Sequence, residues 1–180
     1  MVRQFEETRR STISLVLDLD SSAYESPEEF EMAVSVIGSL GVRALRDGRD
    51  ARAVVSGEVP EFAKATVRTL RQLKVTTPRT LLDQLAGVES STAVADLAVI
   101  TRMLNETTSD TSLAFLVTGS QAPLSRIQAA SYSFSVDVSV AAVVCDPEAE
   151  PSIRAMGRTR VLTLGVLGDL RQLLAKRARA

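Results

Sequence analysis

The segment Ser14-Leu15-Val16-Leu17-Asp18-Leu19-Asp20-Ser21-Ser22, with the helical pattern that follows from Pro27 to Asp47, constrains this chain most. Residues Thr12 to Asp18 form a short β-forming run that is apolar toward both faces. Such a run suits a central strand of a parallel sheet covered on both sides. It ends in two carboxylates and two hydroxyls, and then a helix begins. In open α/β sheets ligands bind outside the carboxyl ends of the strands, so these side chains are the first candidates for a site.

The helix announces itself with Ser26-Pro27-Glu28-Glu29. Ser26 can cap the amide three residues on, Pro27 suits the first turn, and Glu29 can return the bond. Phe30, Ala33, Val34, Ile37, Leu40, Ala44 and Leu45 recur at three- and four-residue spacing, and Gly48 is a natural stop. Gly38 and Gly41 each cost about 1 kcal/mol against alanine inside a helix. Close approach of this helix to the sheet is the expected offset.

Further along, Ala51 to Ser56 reads as a second strand, whereas Gly57 to Thr77 is ambiguous. Phe62, Val67, Leu70 and Leu73 fit a helix, and Thr66 to Val75 fits an edge strand equally well. Pro78 to Ala86 reads as helical. Ser90-Ser91-Thr92 offers a cap for a helix through Val94, Leu97, Ile100 and Leu104, followed by a polar loop over Asn105 to Asp110. Ser112 to Val117 is a strand ending in Thr118-Gly119-Ser120, and Pro123 to Ala130 starts another helix. Val136 to Cys145 and Arg160 to Leu164 are strands separated by the acidic loop Asp146 to Pro151. Val166, Leu167, Leu170, Leu173 and Leu174 predict a closing helix. Strands alternating with helices give a mostly parallel, doubly wound α/β sheet with helices on both faces, in one domain spanning residues 1–180.

Composition narrows the chemistry. The chain of 180 residues contains no histidine and one cysteine, Cys145. Serine–histidine and cysteine–histidine catalysis, histidine metal sites and intrachain disulfides are therefore excluded. Cys145 reads as a small buried hydrophobe. A formal net charge of −1 gives no reason to expect a phosphate backbone or an anionic membrane as partner. Arg9-Arg10 and Lys176-Arg177-Arg179 read as solvated surface rather than nucleic-acid patches. No run reaches the length of about 18 apolar residues that a membrane span needs.

The order of these pieces resembles a von Willebrand factor A-type domain, and more narrowly the C-terminal region of the family called domain of unknown function 58. The residues that carry the resemblance are Val2-Arg3-Gln4-Phe5-Glu6-Glu7, Glu28-Glu29-Phe30-Glu31-Met32-Ala33-Val34-Ser35, Ala44-Leu45-Arg46-Asp47-Gly48, Leu81-Leu82-Asp83-Gln84-Leu85-Ala86 and Val117-Thr118-Gly119-Ser120. The resemblance implies an antiparallel edge strand within Thr66 to Val75 and no established catalytic activity. It implies a cytoplasmic domain of a longer, membrane-anchored protein. Its implied partner is a MoxR-type AAA+ ATPase.

A-type domains hold a divalent cation with Asp-x-Ser-x-Ser after the first strand, a Thr from a middle loop and an Asp after the fourth strand. By position, Asp18, Asp20 and Ser22 stand in the first motif, with Asp20 replacing the middle Ser. Thr92 is the middle-loop candidate, and Thr118-Gly119-Ser120 stands where the late Asp belongs. The resemblance thus implies a degenerate metal-ion-dependent adhesion site of Asp18, Asp20, Ser22 and Thr92. Together with waters, these oxygens are a chemically reasonable set for Mg²⁺. The plainer expectation is that Asp18 and Asp20 bond loop amides at the strand end with no metal.

The same residues support a rival. Leu15-Val16-Leu17-Asp18-Leu19-Asp20 resembles the first motif of haloacid-dehalogenase-type phosphatases. Asp18 would be the nucleophile, Asp20 the acid/base, Thr118 the phosphate-binding hydroxyl and Asp146 a late ligand to Mg²⁺. That chemistry needs a lysine between the last two motifs. None lies between Lys74 and Lys176, and Arg126 is a poor substitute. The sequence therefore favours a non-enzymatic protein-interaction module, with a Mg²⁺-dependent phosphohydrolase as the alternative.

Overall fold

The computed structural model describes residues 11–57 and 70–177. The Val2 to Glu7 piece of the resemblance, Arg9-Arg10, the Phe62 and Val67 part of the ambiguous segment, and Arg179 lie outside the described residues.

Seven strands form one sheet in the order β3-β2-β1-β4-β5-β7-β6. They are β1 (Thr12–Leu17), β2 (Ala51–Ser56), β3 (Leu70–Leu73), β4 (Thr111–Gly119), β5 (Ser139–Cys145), β6 (Ser152–Met156) and β7 (Thr159–Leu164). Strands β2, β1, β4, β5 and β7 are mutually parallel, while β3 and β6 pair antiparallel at the two edges. The helices are α1 (Pro27–Arg46), α2 (Pro78–Leu85), α3 (Leu97–Thr107), α4 (Leu124–Tyr132) and α5 (Asp169–Arg177). α1 packs on the sheet and against α2, and α3 packs against α4. Every residue of β1 is buried, as a two-sided apolar strand requires.

Sequence order reverses between β1 and β4, which lie side by side. This is the topological switch point of a doubly wound sheet, where a crevice opens at the carboxyl ends. Asp18 leaves β1 there, and Thr118 ends β4 beside it.

Local chemistry follows the sequence closely at α1. Ser26 accepts the Glu29 amide at 3.3 Å, Pro27 opens the helix, and Gly48 turns the chain with φ of +65°. Two details differ from expectation. Glu29 does not close a capping box on Ser26. Its carboxylate is buried and accepts the Glu25 amide at 2.9 Å and the Ser120 amide, tying the helix to the β4–α4 loop. The close approach of α1 is chiefly to α2 rather than to the sheet. A Cβ on Gly41 would lie 2.3 Å from Leu81 Cδ2 and 3.4 Å from Leu15 Cδ1, and one on Gly38 would lie 3.2 Å from Leu82 Cδ2.

Elsewhere three expectations shift. The α3 cap is Asp96, which accepts the Ala98 amide at 2.8 Å, and α3 runs through the expected loop to Thr107. Ser91 is drawn away from capping because its backbone bridges to the segment after β1: its amide donates to Leu19 and its carbonyl accepts from Ser21. Strand β6 has no signature in the sequence, since the two side chains it packs on the core, Ile153 and Met156, are three residues apart and break the alternation of a strand. It joins β7 through Gly157-Arg158, with φ of +58° at Gly157. Val166 and Leu167 precede α5 instead of joining it, and both are exposed.

Candidate functional site

The candidate site lies at the switch point, and four chain segments converge on it. Asp18 is 2% exposed at the end of β1. Its Oδ2 accepts the Thr118 hydroxyl at 2.9 Å across the β1–β4 pair. Its Oδ1 accepts the Asp20 amide at 3.1 Å and Arg126 Nη2 at 3.0 Å. Asp20 opens a single 3-10 turn: its Oδ1 accepts the Ser22 amide at 2.9 Å and the Ser22 hydroxyl at 2.7 Å. Its Oδ2 accepts Arg126 Nη1 at 2.8 Å. Asp96, the α3 cap, places Oδ2 3.1 Å from Arg126 Nε, an ion pair outside hydrogen-bond alignment.

Three aspartates from two segments therefore surround one guanidinium, and each of their six oxygens has a partner. The arginine side chain is only 12% exposed. Burial pushes the Asp18 carboxyl up from its ordinary range, against the opposing pull of Arg126, the Asp20 amide and Thr118. Burial works upward on Asp20 too, but its two bonds from Ser22 and the charge of Arg126 outweigh it and hold the group below its ordinary value. Burial lowers Arg126, and Asp18, Asp96 and Asp20 more than restore it.

Neighbouring residues brace each piece. Ser56 at the end of β2 accepts the Ala95 amide at 2.8 Å, which fixes the segment carrying Asp96. The Tyr24 hydroxyl donates to the Asp18 carbonyl at 2.6 Å, and its ring meets Phe30 edge-on at 5.1 Å. Gly119 admits no side chain, because a Cβ there would lie 2.3 Å from the Ala23 carbonyl oxygen. Arg158, from the β6–β7 turn, donates to the carbonyls of Ser131, Ser135 and Phe134 at the carboxyl end of α4. Arg126 and Arg158 thus anchor α4 at its two ends.

Of the residues singled out from the sequence, Asp18, Asp20, Ser22 and Thr118 come together. Thr92 is exposed in the segment between Ser91 and α3. Asp146 is engaged locally, its Oδ1 accepting the Glu148 amide at 3.1 Å. Asp96 stands out by no motif in the sequence, and Arg126 enters there only as a poor substitute for a lysine. One signal pointed to Arg126. It occupies the first turn of α4, where the helix dipole disfavours a cation and a carboxylate nearby offsets that cost.

The donor set in this arrangement does not fit a divalent cation. The oxygens of Asp18 and Asp20 that would ligate it are turned to Arg126, Thr118, Ser22 and a loop amide. Among the described residues no group of three or more acidic or cysteine side chains is arranged to hold a metal ion.

Beside this cluster, between the β1–α1 and α2–α3 connections, lies a cleft of about 430 Å³. Tyr24 and Phe30 line it together with Glu25, Glu31 and Glu89, and among the described residues no lysine or arginine does. Leu124 at the start of α4 and Val166 after β7, 59% and 60% exposed, stand at the same carboxyl-end face.

No protein-family model matches the chain, and no curated protein matches it. Among solved structures it is similar to a von Willebrand factor type A protein from Catenulispora acidiphila, at 11% identity and a TM-score of 0.55. The match covers 93% of this chain and 42% of that one, so the chain spans less than half the length of this relative. At such identity the likeness shows the fold: a von Willebrand factor A-like α/β domain with a mostly parallel seven-stranded sheet. Among the described residues no helix is long and apolar enough to cross a membrane.

Proposed function

We propose that this chain is a non-enzymatic docking module that binds a partner protein at the carboxyl-end face of its sheet. The observation that carries this reading is the closed state of Asp18. A carboxylate nucleophile must present a free oxygen to its substrate, whereas both oxygens of Asp18 are bonded and the residue is 2% exposed. The cluster is built to hold a surface in shape.

That surface has the anatomy of an interface. The carboxyl-end face carries the exposed apolar side chains Leu124 and Val166, and it carries a cleft with an aromatic wall and a carboxylate lining. A partner presenting arginine or lysine side chains complements it, and a basic group entering the cleft would meet Glu25, Glu31 and Glu89. The resemblance read in the sequence names the candidate partner, an AAA+ ATPase of the MoxR type.

Co-expression of the tagged chain with such an ATPase from the same genome tests the reading. Copurification is expected, and its loss on reversing the charge of Glu25 and Glu89 would place the contact. Absence of any complex contradicts it. Hydrolysis of phosphate esters with Mg²⁺ present, abolished by Asp18→Asn, would replace it with the phosphohydrolase reading.

A further inference from the structure

We propose that the Arg126 guanidinium is a resident cation, standing where an A-type domain would place a divalent metal, so that the architecture of this face is independent of metal. Three observations converge. Each nitrogen of the guanidinium lies 2.8–3.1 Å from one carboxylate oxygen, each oxygen from a different aspartate. The aspartates come from two separate segments, Asp18 and Asp20 from the stretch that leaves β1 and Asp96 from the α3 cap, which a bound ion would otherwise have to draw together. Finally, the Ser22 hydroxyl donates to Asp20 Oδ1, so that this oxygen too is engaged within the chain.

A guanidinium does the electrostatic part of an ion's work, since its fixed fork neutralises converging carboxylates and keeps its charge even when largely buried. It differs in one respect that matters for recognition. A metal keeps exchangeable positions that an incoming carboxylate can fill, whereas each nitrogen of Arg126 already faces an aspartate of this chain. The face therefore keeps the surplus charge of three carboxylates set against one cation, and selects a basic partner rather than an acidic one. The inference concerns the isolated chain, so it stands or falls separately from the choice of partner.

Thermal melting with Mg²⁺ and Mn²⁺, alongside Mn²⁺ binding followed by electron paramagnetic resonance, tests it on the wild type and on Arg126→Ala. For the wild type the midpoint should not move with millimolar divalent cation, and Mn²⁺ should stay free. A shift of several degrees, the size expected for a ligand well above its dissociation constant, would overturn the proposal. The Arg126→Ala protein should melt lower and regain part of the loss with methylguanidinium, with Mn²⁺, or with both. A variant indifferent to every added cation, or unfolded in all of them, would also overturn it by reducing Arg126 to an ordinary structural arginine.

Discussion

The hydroxyl of Thr118 donates to Oδ2 of Asp18 at 2.9 Å, joining the carboxyl ends of two adjacent parallel strands 100 residues apart in sequence. Both residues are buried, so the carboxylate has no water to replace this donor. Thr118→Val keeps the shape and removes the bond. A hydrogen bond to a charged, buried acceptor contributes roughly 1.5–3 kcal/mol, so the variant should lose about 2 kcal/mol in urea unfolding. A loss below about 0.5 kcal/mol would mean that Asp18 is protonated and donates elsewhere.

Asp96 has two separable roles. Its cap on α3 is worth about 1 kcal/mol, and its half-exposed ion pair with Arg126 at most about 1 kcal/mol. Asp96→Ala should therefore cost about 1–2 kcal/mol. Asp96→Ser keeps a capping hydroxyl without the charge and should stay within about 1 kcal/mol of wild type. Equal losses in the two variants, measured by chemical denaturation, would show that the charge dominates.

How much of this was legible in the sequence depends on how local the signal was. The apolar run of β1, the Ser26-Pro27 start and Gly48 stop of α1, and the strand-end position of Asp18 and Asp20 are all set by neighbouring residues. The partner of those carboxylates was not, because Arg126 lies more than 100 residues away and reaches them only through the crossover after β4. Strand β6 was lost for a different reason. Its two core-packed residues, Ile153 and Met156, fall on opposite parities of a five-residue stretch, so no alternation separates it from a loop, and only its pairing with β7 defines it.

Two glycines in α1 should respond oppositely to alanine. At Gly38 the new methyl would meet Leu82 Cδ2 at 3.2 Å, and Leu82 is half exposed and free to yield. Gly38→Ala should be neutral or gain up to about 1 kcal/mol from helix propensity. At Gly41 the methyl would overlap Leu81, which is fully buried, so overpacking should cost about 1–3 kcal/mol. Paired thermal melts decide this, and the same sign for both variants would contradict the α1–α2 packing.

Burial pushes the Cys145 thiol up to about 12, from an ordinary value of 9.0. The folded chain thus holds the neutral thiol while the unfolded chain ionises. Stability contributed this way is intact below about pH 9 and is lost as pH rises toward 12. Tyr24, also raised by burial, acts in the same direction, so the informative quantity is the difference between proteins. Cys145→Ala should flatten the alkaline fall in unfolding free energy by up to about 1.4 kcal/mol per pH unit, whatever its constant packing cost. Parallel pH profiles for the two proteins would refute the assignment.

Calorimetric titration of the purified chain with a purified MoxR-type AAA+ ATPase from the same genome tests the docking reading most directly. The account predicts saturable binding in the micromolar range that weakens with added salt. It also predicts that binding is lost when Glu25 and Glu89 are both replaced by lysine. No binding at the highest soluble concentrations, or binding indifferent to that charge reversal, would contradict it.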